Sequence, residues 1–426
     1  MADNIYGTTD RATGDSTHGQ NTVVHYYDKA GVKAANAVAL YAQFADKRSM
    51  PLKMGTTYKV SKWLHIFDRE DGVDAAFASK GYLSSRSILD VSAGLTAAAL
   101  AEGAGAVNKK TIKKVTIETN FARYGEMIDY TDEVDMFAED MVQVHYREEL
   151  GLLANRRAED LIQLDMLTST NMMYVGTATA IQEIGQDTTV VAGTDDADSQ
   201  VSYDLIRKAV RRLVRNRAEK NTSIVSGSTK VDTRTVNKAF YAIVGPEVKY
   251  DLETVVKGNV TDNGTTEYAY VPAYKYADAS NLAEGEVGAM NDVRFIESES
   301  AVVYAGAGAV TPTSYTGTLA HTTLDAAAAT ALDAFIDTAN GFVDSDVYTT
   351  ADVRFDVFPI LFPTKGSFAT VGLKGHGKIK FNSQAPSKIE LSNPYGTTGF
   401  FSYNMWYAGI ILREERLLKI LVCASA

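Results

Sequence analysis

The hydrophobic pattern of this chain changes period several times. Residues 1–28 show no period: they are polar and rich in Gly, Thr and Asp, and such a segment frays unless something outside it holds it. From Ala30 to Ser49, Ala34, Val38, Tyr41 and Ala45 recur at helical spacing, with Leu40 and Phe44 beside them, which predicts a helix. Met50-Pro51 closes it, because proline disfavours helical geometry in the residue before it. The period then falls to two. Tyr58, Val60, Leu64 and Ile66 share one face, with Lys62 breaking the apolar row, and Lys59, Ser61, Trp63 and His65 share the other. A second alternating run, Thr111 to Thr119, opens on Ile112 and puts Val115 and Ile117 on one face. Between the runs lies a Gly/Ala/Ser-rich excursion of roughly forty residues, so the pair reads as a long two-stranded ribbon with an elaborate tip. A lone hairpin is marginal in water. This one is expected to lie mainly on a neighbouring subunit, with packing on its own domain as the alternative.

The longest periodic segment follows. Glu133 to about Ser169 contains no Pro and one Gly, Gly151, while Val134, Phe137, Met141, Val144, Tyr146, Leu150, Leu153, Ala154, Ala158 and Leu161 recur along it. Thr131 or Asp132 can cap its start. One helix of that length would span about 55 Å, and the spacing is not a strict heptad, so it reads as a spine across a flat subunit. Gly185 to Gln200, with Asp195, Asp196 and Asp198, reads as a loop and a lobe boundary. Tyr203 to Lys220 predicts a second helix, apolar at Leu205, Ile206, Ala209, Val210, Leu213 and Val214 and basic at Arg207, Lys208, Arg211, Arg212, Arg215, Arg217 and Lys220. Ala239–Val244, Val353–Leu361, Ser367–Leu373, Gly399–Trp406 and Arg416–Val422 read as strands. The Ala/Thr/Gly-rich stretch 305–341 reads as a surface insertion with one helix at Leu324–Thr338. Helices and strands without a regular βαβ alternation predict an α+β fold.

Composition narrows the function. At 426 residues, 45% hydrophobic and 22% charged, the chain is globular and long enough for several lobes. A single cysteine, Cys423, excludes a disulfide framework and multi-cysteine zinc sites. A net charge of −11 argues against a general nucleic-acid-binding protein. Against that background the seven cations between Tyr203 and Lys220 stand out: they can neutralise phosphates, or form a solvated face, or pair with acids on a neighbour. The start, Met1-Ala2-Asp3-Asn4, has no basic or apolar leader, and no run of 18 apolar residues exists, so no secretory signal or membrane span is expected. The expected compartment is a reducing cytoplasm, or a particle assembled there.

Motifs for chemistry are incomplete. The six histidines, His18, His25, His65, His145, His321 and His376, show no metal-ligand spacing. Gly372 to Lys378 has the outline of a phosphate loop, but Ile379 stands where a Ser or Thr must reach magnesium. Ala101 to Gly105 lacks the third glycine of a dinucleotide fingerprint. The Asp195–Asp198 and Asp344–Asp346 acids lack the Gly and Glu of a calcium loop. Glu139-Asp140 and Glu148-Glu149 are helix neighbours that point different ways. No Gly-x-Ser-x-Gly elbow occurs. No catalytic residue, cofactor or metal is expected; a soluble multi-domain enzyme with a non-local active site is the alternative from another class.

The order of parts resembles a family. Leu100 to Gly105 running into Lys109–Thr119, Phe121 to Asp132 running into the spine helix, Asn393 to Phe400 leading to Trp406 and Ile411-Leu412, and Ala283 to Gly288 before Val293-Arg294-Phe295 together resemble the major capsid proteins of tailed bacteriophages with the Hong Kong 97 fold, closest to the lineage of coliphage N-four. The resemblance implies an N-terminal arm and helix over 1–50, an extended β-ribbon loop over 51–131 and a peripheral domain with the spine helix over 132–200. It further implies an axial domain over 201–375 with the 305–341 insertion, and a return to the peripheral domain over 376–426. The function it implies is a self-assembling icosahedral shell around packaged double-stranded DNA, built of hexamers and pentamers. Scaffolding, portal and decoration proteins are the implied partners, with non-specific DNA contact and no membrane. The implied location is the virion capsid, with assembly in the host cytoplasm. The shell of a bacterial protein-cargo nanocompartment is the alternative within the fold. Trp63, His65, Lys113, Lys114, Arg207, Arg211, Arg212 and Arg215 are the candidate interaction residues.

Overall fold

The computed structural model describes residues 40–64, 88–100, 108–137, 142–185, 199–225, 233–257, 267–276, 282–312, 317–337, 352–375, 379–386 and 393–426, with a few single positions between them. The arm 1–28 and residues 30–39 of the expected first helix lie outside that set.

Residues 40–50 are not helical apart from one 3₁₀ turn, Ala42–Phe44, followed by strand β1, Asp46–Met50. The helix-like spacing of Tyr41, Phe44 and Ala45 is satisfied by that single turn, which buries all three, and β1 finds its backbone partners in a strand more than 300 residues away. The ribbon follows as expected: β2, Thr57–Leu64, pairs antiparallel with β3, Lys113–Asn120, from Thr57↔Asn120 to Leu64↔Lys113. Helix α1, Ile88–Ala98, belongs to the excursion between them. After β4, Ala122–Thr131, a short helix α2, Asp132–Phe137, precedes the long helix α3, Val142–Leu167. The described spine is therefore 26 residues, about 39 Å, shorter than the single helix expected; residues 138–141 lie outside the described set.

Beyond β5, Met172–Tyr174, helix α4 runs Tyr203–Arg215. Ser202 caps it by accepting a hydrogen bond from Leu205 N at 3.2 Å, and Asp204 stands in its first turn, where the helix dipole favours an acid. It ends five residues before Lys220 because Arg217 takes left-handed geometry, φ 54°. Leu205, Ile206, Ala209, Val210 and Leu213 are buried, whereas Val214, expected beside them, is 57% exposed.

The remaining elements are β6 (Asn221–Val225), β7 (Thr233–Val244), α5 (Pro246–Thr254), β8 (Val271–Pro272), β9 (Glu286–Met290), β10 (Val293–Glu297), β11 (His321–Thr323), α6 (Ala326–Phe335), β12 (Val353–Phe355), β13 (Phe358–Phe362), β14 (Phe368–Leu373), β15 (Lys380–Gln384), β16 (Thr398–Tyr407), β17 (Gly409–Ile411) and β18 (Leu418–Val422). The expected strand 353–361 is two strands that serve different sheets. Arg416 lies in a 3₁₀ turn, Glu414–Arg416, ahead of β18.

Three packing units organise the described residues. The largest is a mixed sheet in the order β5-β18-β13-β7-β10-β9-β8, with β6 paired to β7. Its inner strands are nearly all apolar, with every residue of β13 and β18 buried, as expected of strands covered on both faces. α4 packs its apolar side into this core. The stretch expected as a surface insertion enters the same core through Ala307, Ala309, Leu319, Leu324, Ala329 and Ile336; alanine carries too weak a hydrophobic signal for that burial to show in sequence. The second unit is the sheet β15-β16-β4, which lays Tyr130, Phe401, Tyr403 and Met405 against Leu150 and Ala154 of α3. The third is the small sheet β1-β14-β17, and it forms the floor under the ribbon.

Candidate assembly interface

The two faces of the ribbon differ as the alternation predicts. Tyr58, Val60 and Ile117 pack onto Met50, Ala369, Val371, Ala408, Ile410 and Leu412, so the base of the ribbon rests on its own chain. Lys62, the residue that interrupts this apolar row, reaches Glu415 at 3.8 Å. On the outer face Lys59 pairs with Glu118 at 2.7 Å, Ser61 and Thr116 hydroxyls meet at 3.3 Å, and Lys114 lies 5.7 Å from the Trp63 ring centroid. Trp63 is 61% exposed. Such a face offers an apolar plate with cations beside it and, among the described residues, no partner of its own chain above it. In α1, Ile88, Leu89 and Leu95 are likewise largely exposed. Of the ribbon residues singled out in the sequence, Trp63 and Lys114 thus stand opposite each other in register; Lys113 pairs with Leu64 in the backbone, and His65 lies outside the described residues.

The turn Glu414–Arg416 under the ribbon is a junction. Glu414 carboxylate accepts from Thr170 N and from its hydroxyl, at 2.9 and 2.7 Å. The Glu415 carbonyl accepts from Asn171 Nδ2 at 2.9 Å and from Asn216 Nδ2, and Ser169 Oγ donates to Leu417 O at 2.8 Å. One turn of chain therefore joins the end of α3, the end of α4 and the ribbon. Just beyond it, the fully buried Lys419 donates to Leu167 O at 2.7 Å and lies 4.2 Å from the Phe342 ring centroid. Burial pulls its ammonium down to about 7, opposed weakly by Glu414. Nothing in the sequence marked this junction, because its contacts join residues more than 190 positions apart.

The basic helix divides. Arg207 and Arg211 are exposed and Arg215 half-buried. Arg207 lies 5.6 Å from the Tyr203 ring centroid, and Lys208 is paired with Asp204 at 2.8 Å. Arg212 turns inward, donating from Nη1 to Met172 O at 2.8 Å, and burial draws its pKa below the usual arginine value, with Arg215 adding to the effect. Lys220 pairs with Asp292 at 3.1 Å away from the helix. Among the described residues no group of His, Cys, Asp and Glu could hold a metal ion, and no helix is long and apolar enough to cross a membrane.

Comparison with known proteins places this geometry. No family model matches the chain. It is 27% identical over 421 residues to the major capsid protein of Pseudomonas phage KPP21, covering 95% of this chain and 94% of that one. Its fold superposes on the capsid of Ralstonia phage GP4 with a TM-score of 0.55 at 10% identity, over 98% and 99% of the two chains. The head structure of Helicobacter pylori bacteriophage KHP40 gives 0.51 at 9% identity, over 97% and 98%. The chain has the Hong Kong 97-like fold. The α+β class and the ribbon-and-spine order expected from sequence are those of this fold, and the likeness runs from end to end rather than through one lobe.

Proposed function

We propose that this chain is the major capsid protein of a tailed phage, many copies of which close into an icosahedral shell around packaged double-stranded DNA. The observation that carries the reading is similarity along the whole length to a protein named major capsid protein, 27% over 421 residues, on a fold shared with phage capsids. The role is structural rather than enzymatic. Within that reading the chain stands nearest the coliphage N-four lineage, and its arm, ribbon loop, peripheral and axial domains divide near residues 50, 131, 200 and 375. Scaffolding and portal proteins are the partners this reading implies for assembly in the host cytoplasm. Trp63 and Lys114 support the reading of the ribbon's outer face as a contact between subunits, with His65 and Lys113 beside them in the sequence. Arg207, Arg211 and Arg215 are the residues suited to non-specific phosphate contact, which needs only exposed cations.

Negative-stain microscopy of the chain expressed with its neighbouring gene products tests the proposal. Closed shells of uniform diameter are expected. A small oligomer under every condition overturns it, and shells that fill with a protein cargo instead of DNA favour the nanocompartment alternative.

A further inference from the structure

Two polar side chains one turn apart on α3 are buried for no reason that packing alone supplies. Glu159 accepts a hydrogen bond from Tyr41 N at 2.8 Å, and the amides of Leu40 and Ala42 also face its carboxylate. Gln163, 1% exposed, donates to Ser300 O at 2.9 Å and accepts from Val302 N at 2.7 Å and from the Tyr41 hydroxyl at 2.9 Å once its amide is oriented to suit its neighbours. Both therefore grip Tyr41, one by its backbone and one by its side chain. Phe44 then packs on Tyr241, ring centroids 5.3 Å apart, and β1 continues beside β14. Six residues after β1 ends, the chain enters β2 of the ribbon. The same helix holds the other side of the ribbon floor: Asp165 accepts from the Tyr407 hydroxyl at 2.7 Å, two residues before β17.

We propose that Glu159 and Gln163 form a clasp that locks the strap Leu40–Met50 onto the long helix, and that this lock sets where the base of the ribbon sits. The proposal deepens the capsid reading by naming what positions the ribbon, and it is tested on the unassembled subunit, so it stands or falls apart from shell formation. A carboxylate is suited to a releasable lock. Three backbone donors favour its charge, yet burial outweighs them and, with Asp160 nearby, pushes Glu159 above the usual carboxylate range. The closed clasp thus holds a charge at a desolvation cost that opening returns. The other titratable groups facing it are the phenols of Tyr41 and Tyr407.

Hydrogen–deuterium exchange on the full chain reads the lock directly. Glu159→Gln keeps the shape and removes the charge. Exchange of the strap amides Leu40–Met50 is expected to rise roughly tenfold, with a parallel rise in β2 and β3 and none in β7 or β13. Tyr41→Phe, which removes one partner of Gln163 and leaves Glu159 intact, should give the same pattern more weakly. Strap amides as protected as in the parent chain overturn the proposal. So does a loosened strap with an unchanged ribbon, and so does a rise shared equally by β7 and β13, which would make Glu159 a stabiliser of the whole fold.

Discussion

Lys62 on the ribbon and Glu415 in the body of the same chain stand 3.8 Å apart, each with about a quarter of its side chain exposed. A pair so open to solvent contributes at most about 1 kcal/mol. It marks the place where the ribbon rests without being what holds it there. The apolar contacts of Tyr58, Val60 and Ile117 with the small sheet do that. The ribbon is thus divided: its base packs on its own chain, and its outer face keeps Trp63 exposed.

That division predicts an asymmetric response to mutation. Ile117→Asp should detach the base of the ribbon, leaving the far-ultraviolet circular dichroism unchanged while protease cuts the ribbon faster. Trp63→Ala should leave the proteolysis of the isolated subunit unchanged and impair only assembly. Faster cutting of Trp63→Ala than of Ile117→Asp would refute the division.

The arginines of α4 should separate in the same way. Arg207→Glu with Arg211→Glu changes two exposed cations, so empty-shell assembly and thermal stability are expected to survive while retention of packaged DNA weakens, most visibly as salt rises. Loss of empty shells would instead show these cations paired with acids across a subunit contact. Arg212→Ala removes the donor to Met172 O and is expected to cost about 1–3 kcal/mol in denaturant unfolding.

Lys419 gives a pH dependence of fixed sign. In the unfolded chain its ammonium binds a proton below its ordinary value of 10.5, but in the folded chain only below about 7. Between those values unfolding takes up a proton, so this group makes stability rise with pH from about 7 toward 10; below about 7 its contribution no longer changes. The slope from one such group is at most about 1.4 kcal/mol per pH unit. Denaturant unfolding of the parent and of Lys419→Met from pH 6 to pH 9.5 should show that rise only in the parent; equal slopes would refute the assignment.

Gly409 is a position where a single methyl group is expected to matter. A Cβ there would collide with the Asp165 carboxylate and come within 2.7 Å of the Tyr407 hydroxyl, two groups already bonded to each other. Gly409→Ala should cost about 1–3 kcal/mol by overpacking, seen as a lowered Tm. Asp165→Asn in the same background should not recover it, because the clash is with the volume of the side chain and not its charge.

Local pattern was enough for the parts of the fold whose partners are near or whose faces differ sharply. Alternation alone determined the two faces of the ribbon, down to Lys62 interrupting the apolar row, because a period of two leaves only one register that buries Val60 and Ile117 together. The apolar stripe of α4 was legible for the same reason, as was its start at Tyr203. Tertiary structure decided the rest. The spacing of Tyr41, Phe44 and Ala45 fits a helix or a single docked turn equally well, and only the contacts with Glu159 and Tyr241 and the pairing of β1 with β14 select the turn. Val214 and Arg212 lie at the margins of the α4 stripe, where burial depends on the neighbour: Met172 O draws the arginine in, while the valine stays 57% exposed. The clasp and the Glu414–Leu417 junction left no trace in the sequence, since polar side chains that bind distant backbone have neither period nor spacing. Sequence determines what each segment can bury by itself; which polar group is buried, and against what, is fixed only when segments hundreds of residues apart are brought together.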